Sequence, residues 1–95
     1  MTFADRLAGV VQARRSQIVL GLDPDPARLW PEAVAQAPAE GSPARRAAAA
    51  VRAHCAALVD AAGPACVAVK PQLACFERLG ADGWAALAAT VEPAR

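Results

Sequence analysis

The spacing of apolar residues along this chain switches between a helical and an extended period. Phe3, Leu7, Val10 and Val11 recur at the intervals of one helix face, which predicts a first helix over about residues 3–14. Thr2 and Asp5 form a capping pair at its start, and Arg14 and Arg15 suit its end, where the helix dipole favours positive charge. The pattern then tightens into Gln17-Ile18-Val19-Leu20-Gly21-Leu22-Asp23-Pro24, an apolar run that stops on a charge and a proline. Such a run reads as a parallel strand buried on both faces, and Gly21 within it predicts close approach of another backbone or a ligand.

From Pro24 to Pro43 the chain carries five prolines and no sustained periodicity, which predicts a loop with a short helical turn around Trp30 to Ala37. Ser42-Pro43 then supplies an N-cap and a first-turn proline. The helix that follows gathers Ala47, Val51, Cys55, Leu58 and Val59 on one face and ends at Gly63-Pro64. A second strand of the same design follows, Ala65-Cys66-Val67-Ala68-Val69-Lys70-Pro71-Gln72. Leu73 to Leu79 predicts a short helix closed by Gly80. Asp82 is a cap for a last helix from Gly83 to about Val91, burying Trp84 and Leu87, with Pro93 interrupting it.

Strand, crossover helix, strand is the right-handed βαβ unit, so Asp23 and Lys70 are expected at the same end of two parallel strands. Adjacent strands lie about 4.8 Å apart, close enough for the two side chains to share one hydrogen-bonded network. In α/β folds that carboxyl edge is where ligands bind. Two strands cannot close a sheet, and their apolar faces need further cover. The expected fold is therefore α/β, the first two βα units of a TIM (β/α)8 barrel that is incomplete in this chain, since a whole barrel takes about 250 residues. A bare strand edge makes such a segment a poor folder by itself.

Composition narrows the chemistry. Ninety-five residues allow one domain, and much of the 56% hydrophobic fraction is alanine, which buries little area per residue. A net charge of +1 with scattered arginines gives no surface for nucleic acid. The amino terminus lacks the features of a secretory signal, and no window reaches the roughly 20 apolar residues of a membrane span, so a cytoplasmic protein with no membrane partner is expected. Cys55, Cys66 and Cys75 are odd in number and widely spaced, which fits reduced, buried thiols and neither a disulfide framework nor a metal site. His54 stands alone, without a second histidine to share a metal or a proton, and reads as structural or exposed.

Lys70 is the only lysine; the other nine basic residues are arginine. That position asks for a compact ammonium and not a delocalised guanidinium, although a solvated strand end and an arginine-rich genome account for the same pattern.

Leu20-Gly21-Leu22-Asp23-Pro24 and Val69-Lys70-Pro71-Gln72-Leu73-Ala74-Cys75-Phe76-Glu77-Arg78-Leu79-Gly80, preceded by Phe3 to Leu7, resemble the N-terminal portion of orotidine 5'-phosphate decarboxylase in its bacterial type 2 subgroup. Gly-Leu-Asp-Pro alone carries little; joined at this spacing to Val-Lys-Pro-Gln and Phe-Glu-x-x-Gly it is specific. The resemblance implies a (β/α)8 barrel acting as a homodimer on orotidine 5'-phosphate, releasing carbon dioxide and uridine 5'-phosphate in the last step of UMP synthesis, without metal or cofactor. For Asp23 it implies a hydrogen bond to the substrate ribose. For Lys70 it implies the first lysine of an alternating Lys-Asp-Lys-Asp charge network that contacts the ribose side. The family's proton donor lies in Asp-Ala-Lys-Arg-Gly-Asp on the third strand, and that motif does not occur here. Residues 1–95 thus read as the N-terminal part of one decarboxylase barrel domain, inactive alone. The alternatives are a non-catalytic truncated product, a barrel segment needing a partner chain, and another sugar-phosphate decarboxylase of the same barrel type, which Lys-Pro-Gln disfavours.

Overall fold

The computed structural model describes all 95 residues. The elements run α1 (Phe3–Arg14), β1 (Val19–Leu22), α2 (Pro31–Gln36), α3 (Pro43–Ala62), a single 3₁₀ turn at Gly63–Ala65, β2 (Ala68–Pro71), α4 (Leu73–Glu77) and α5 (Gly80–Ala94). The two strands form one parallel sheet with Val19 opposite Ala68, Leu20 opposite Val69, Gly21 opposite Lys70 and Leu22 opposite Pro71. The expected βαβ order is therefore present, a mixed α/β arrangement with α3 as its crossover.

Several local signals act as their chemistry requires. Thr2 and Asp5 form a reciprocal capping box at α1: the Asp5 amide donates to Thr2 Oγ1 at 3.1 Å and the Thr2 amide donates to Asp5 Oδ2 at 2.8 Å. The Thr2 amide, together with the Thr2 hydroxyl that also donates to Asp5 Oδ2, holds the Asp5 carboxyl below its ordinary value. The Ser42 hydroxyl accepts from the Arg45 amide and Pro43 fills the first helical position of α3. The helical turn in the proline-rich stretch is α2, which starts on Pro31.

Parallel pairing sends opposed residues to the same face and successive residues to opposite faces. Leu20 and Leu22 with Val69 thus turn toward the helices, where Leu22, Ala48, Val51, Cys55, Phe76 and Ala86 make the core. The other face, with Val19, Gly21, Ala68 and Lys70, has no helix over it, and Val19 is 50% exposed. The expectation of strands buried on both faces is corrected here: α3 and α5 lie on one side of the sheet, and nothing in the chain covers the other. The first helix is likewise unburied, with Phe3 69% exposed.

The last helix also departs from expectation. It starts at Gly80, Leu79 is its N-cap without a side-chain bond, and Asp82 lies in the first turn instead of capping it. Gly80, with φ +67°, makes the sharp left-handed turn out of α4, which lets α5 begin at once. Gly83 is a packing residue, because a Cβ there would collide with the Phe76 carbonyl. Ala86 and Thr90 face the core, which leaves Trp84 46% exposed where burial was expected. Pro93 sits in the final turn without ending the helix, where few backbone bonds remain to be lost.

The chain exposes 6313 Å², whereas a compact monomer of 9.7 kDa exposes roughly 5100 Å². Its radius of gyration is 14.5 Å against about 12.4 Å for a compact 95-residue domain. No helix is long and apolar enough to cross a membrane.

Candidate functional site

Asp23 and Lys70 stand at the carboxyl end of the sheet, on its uncovered face. Lys70 is the third residue of β2 and lies opposite Gly21. Asp23 comes two residues after Gly21, so an extended chain returns its side chain to the face of Gly21 and Lys70. The carboxylate does fold that way: Asp23 Oδ2 lies 3.3 Å from where a Cβ on Gly21 would be. The Asp23 carboxylate is the neighbour within 4 Å of that Cβ position, and no second backbone approaches there. Strand spacing and rise put the Asp23 and Lys70 Cα atoms about 8 Å apart. The two form no ion pair with each other, and neither side chain makes a hydrogen bond within the chain. Both are exposed, one anionic acceptor and one ammonium donor side by side on an open surface.

The strand ends are fixed by local chemistry. The Gln72 amide donates to the Leu22 carbonyl at 2.9 Å, one rung beyond the ladder, and Pro71 prevents further pairing on its own side. At the opposite end the Val67 amide donates to the Ile18 carbonyl at 2.8 Å. The Ser16 hydroxyl donates to the Ala65 carbonyl at 2.6 Å and accepts from the Ile18 amide at 3.1 Å. Arg14 Nη1 donates to the carbonyls of Gly63, at 2.7 Å, and Cys66, at 3.0 Å, tying α1 to the start of β2. Sequence patterning gave Arg14 only a dipole role and Ser16 none, since their partners are some 50 residues away and carry no periodic signal.

Two further contacts hold the segment between β1 and α2. His54 Nδ1 accepts from the Trp30 amide at 3.1 Å, and the two rings meet in a tilted arrangement, 4.8 Å between centroids and 60° between planes. Partial burial of this imidazole lowers its pKa, consistent with a neutral acceptor. His54 is therefore a structural tether, as its isolation in the sequence suggests. Arg78 Nη2 donates to the Pro24 carbonyl at 3.1 Å and lies 3.8 Å from Asp25 Oδ1.

The cysteines are all reduced; Cys55 and Cys66 are buried and Cys75 is half-buried. Burial, helped by the nearby Cys75, pushes the Cys55 thiol up to about 11, away from thiolate chemistry. No group of three or more His, Cys, Asp or Glu side chains is placed to hold a metal ion. A cleft of about 580 Å³ opens toward the other end of the sheet among Val10, Arg14, Asp60, Cys66 and Arg95 and runs along β2 as far as Val69, without Asp23 or Lys70 in its lining.

The chain is similar to curated orotidine 5'-phosphate decarboxylases. It is 39% identical to that of Roseiflexus sp. (strain RS-1) over 87 residues, covering 92% of this chain and 28% of the relative. The corresponding protein of Roseiflexus castenholzii (strain DSM 13941 / HLO8) is 37% identical over 87 residues. That of Janthinobacterium sp. (strain Marseille) is 34% identical over 82 residues, 86% of this chain and 26% of the relative. The resemblance of the two strand-end motifs to an N-terminal portion of this decarboxylase is borne out. The chain spans about 28% of the length of the first of these relatives. No family model matches the chain, and no solved structure does.

Proposed function

From that kinship we propose that residues 1–95 supply the first two βα units of a (β/α)8 barrel that converts orotidine 5'-phosphate to uridine 5'-phosphate and carbon dioxide. The uncovered sheet face becomes the inside of the barrel, and the carboxyl end of its strands the nucleotide site. Asp23 accepts a hydrogen bond from a ribose hydroxyl, and Lys70 places its ammonium beside the sugar and holds an aspartate from a later strand.

The reaction builds negative charge on the pyrimidine carbon that loses carbon dioxide. A fixed ammonium in a site closed to water lowers that barrier because its field is oriented before the charge appears. A lysine must then deliver a proton to the carbanion. Lys70 is the sole lysine in this sequence and is assigned to the ribose side, so the donor comes from outside these 95 residues. Metal and cofactor are not called on in this scheme, and a homodimer is the assembly it carries over from the resemblance.

The observation that supports this reading is the shared face and shared strand end of Asp23 and Lys70 in a chain similar to these decarboxylases. The test is the loss of orotidine 5'-phosphate absorbance with the intact gene product, which is expected to turn the substrate over; a pure, folded product without turnover contradicts the proposal. The 95-residue chain alone is expected to show none.

A second reading, a non-catalytic segment that assembles with a partner chain, draws on the excess exposed surface. Reading the coding DNA beyond Arg95 separates the two. Continuation into a strand ending Asp-x-Lys-x-x-Asp supports the enzyme, and a stop codon supports the segment.

A further inference from the structure

Arg78 belongs to the stretch that carries Lys70, yet its guanidinium reaches back to the turn that carries Asp23. Nη2 donates to the Pro24 carbonyl at 3.1 Å and stands 3.8 Å from Asp25 Oδ1. Asp25 is the knot of that turn: its Oδ1 accepts from the Ala27 amide at 2.9 Å and its carbonyl accepts from the Arg28 amide at 2.8 Å. Pro24 is buried and follows Asp23 directly, so holding the Pro24 carbonyl holds the chain on which the Asp23 carboxylate hangs. Asp23 has no side-chain hydrogen bond of its own to do this. One guanidinium nitrogen serves both partners, donating to the carbonyl and standing at ion-pair distance from the carboxylate.

We propose that Arg78 is a positioning residue that locks the Asp23 turn to the βα unit of Lys70, so that carboxylate and ammonium meet the nucleotide at a fixed separation. Its catalytic consequence rests on the function proposed above; the clamp itself does not. A displaced binding group changes rate steeply, since a shift of about 1 Å is worth on the order of a hundredfold.

The experiment compares the intact gene product with Arg78→Ala, Arg78→Lys, Asp23→Asn and the double variant Arg78→Ala/Asp23→Asn. Arg78→Ala is expected to lower kcat/KM about ten- to a hundredfold, with Arg78→Lys between it and the parent. In the Asp23→Asn background the same change is expected to matter less than about threefold, because its target is gone. Hydrogen exchange on Arg78→Ala is expected to quicken at the Ala27 and Arg28 amides and stay unchanged at Val67 and Gln72, whose partners lie in the sheet. Full additivity with Asp23→Asn overturns the positioning role, and so does unaltered exchange at Ala27 and Arg28. Absence of turnover in the parent sinks the proposed function instead, and the exchange comparison still decides whether Arg78 holds the turn.

Discussion

The two faces of one small sheet differ more than any other pair of regions in this molecule. On one face Leu22 is fully buried against Val51, Cys55 and Phe76; on the other its strand neighbours Gly21 and Asp23 are exposed. Apart from Lys70 both strands are apolar, so the asymmetry in their burial comes from where the helices fall. The crossover α3 and the following α5 pack on the same side. The covered face accounts for the stability of the chain, and the open one carries its charged pair. Surface apolar residues such as Val19 and Ala68 beside that pair are what a site later closed to water would use, because the field of an ammonium gains strength as water leaves.

The largest effect that sharpens this contrast is expected at Lys70. In the intact gene product Lys70→Ala should lower kcat/KM by on the order of 10² to 10⁴-fold while leaving thermal unfolding nearly unchanged. A near-normal rate would make Lys70 a solvated strand end. On the covered face the pattern reverses: Phe76→Ala should destabilise by about 3–5 kcal/mol in denaturant unfolding, because a fully buried ring leaves a cavity between α3, α5 and β1. Val19→Ala, half-exposed on the other face, should cost less than about 1 kcal/mol in the 95-residue chain. Equal costs would erase the distinction between the faces.

A chemical probe reads the same contrast. Cys55, buried with its thiol raised to about 11, should resist alkylation at pH 8 until the chain unfolds. Its rapid labelling in the native protein would mean that the core is open.

The smallest effect belongs to His54. Its folded pKa lies below the 6.5 of the unfolded chain, so the unfolded state binds the proton more readily. The stability contributed by the Trp30 to His54 bond is therefore present above pH 6.5 and is lost as pH falls through the folded value. A His54→Ala variant should flatten that slope in unfolding measured from pH 8 to pH 5, and an unchanged slope would remove the tether.

Much of this was legible in the residues. Capping boxes, first-turn prolines and the switch of apolar period are local, and they marked α1, α3 and both strands, with Asp23 and Lys70 at matching ends. What stayed hidden depends on packing. The pattern of two apolar strands cannot say which face is covered, and both faces read as core. Trp84 read as buried because it shares a helical spacing with Leu87, whereas α5 turns Gly83, Ala86 and Thr90 inward, small residues that carry little apolar signal. Arg14, Ser16 and Arg78 act on carbonyls some 50 residues away, a distance at which no spacing rule operates.

The most direct test of the account is where a nucleotide lands. In a titration of the isotope-labelled intact gene product with uridine 5'-phosphate, followed by amide NMR shifts, the movements should centre on Gly21, Asp23 and Lys70 and spare Val10, Arg14 and Cys66 at the large cleft. Shifts centred on that cleft, with the strand-end residues still, would contradict it.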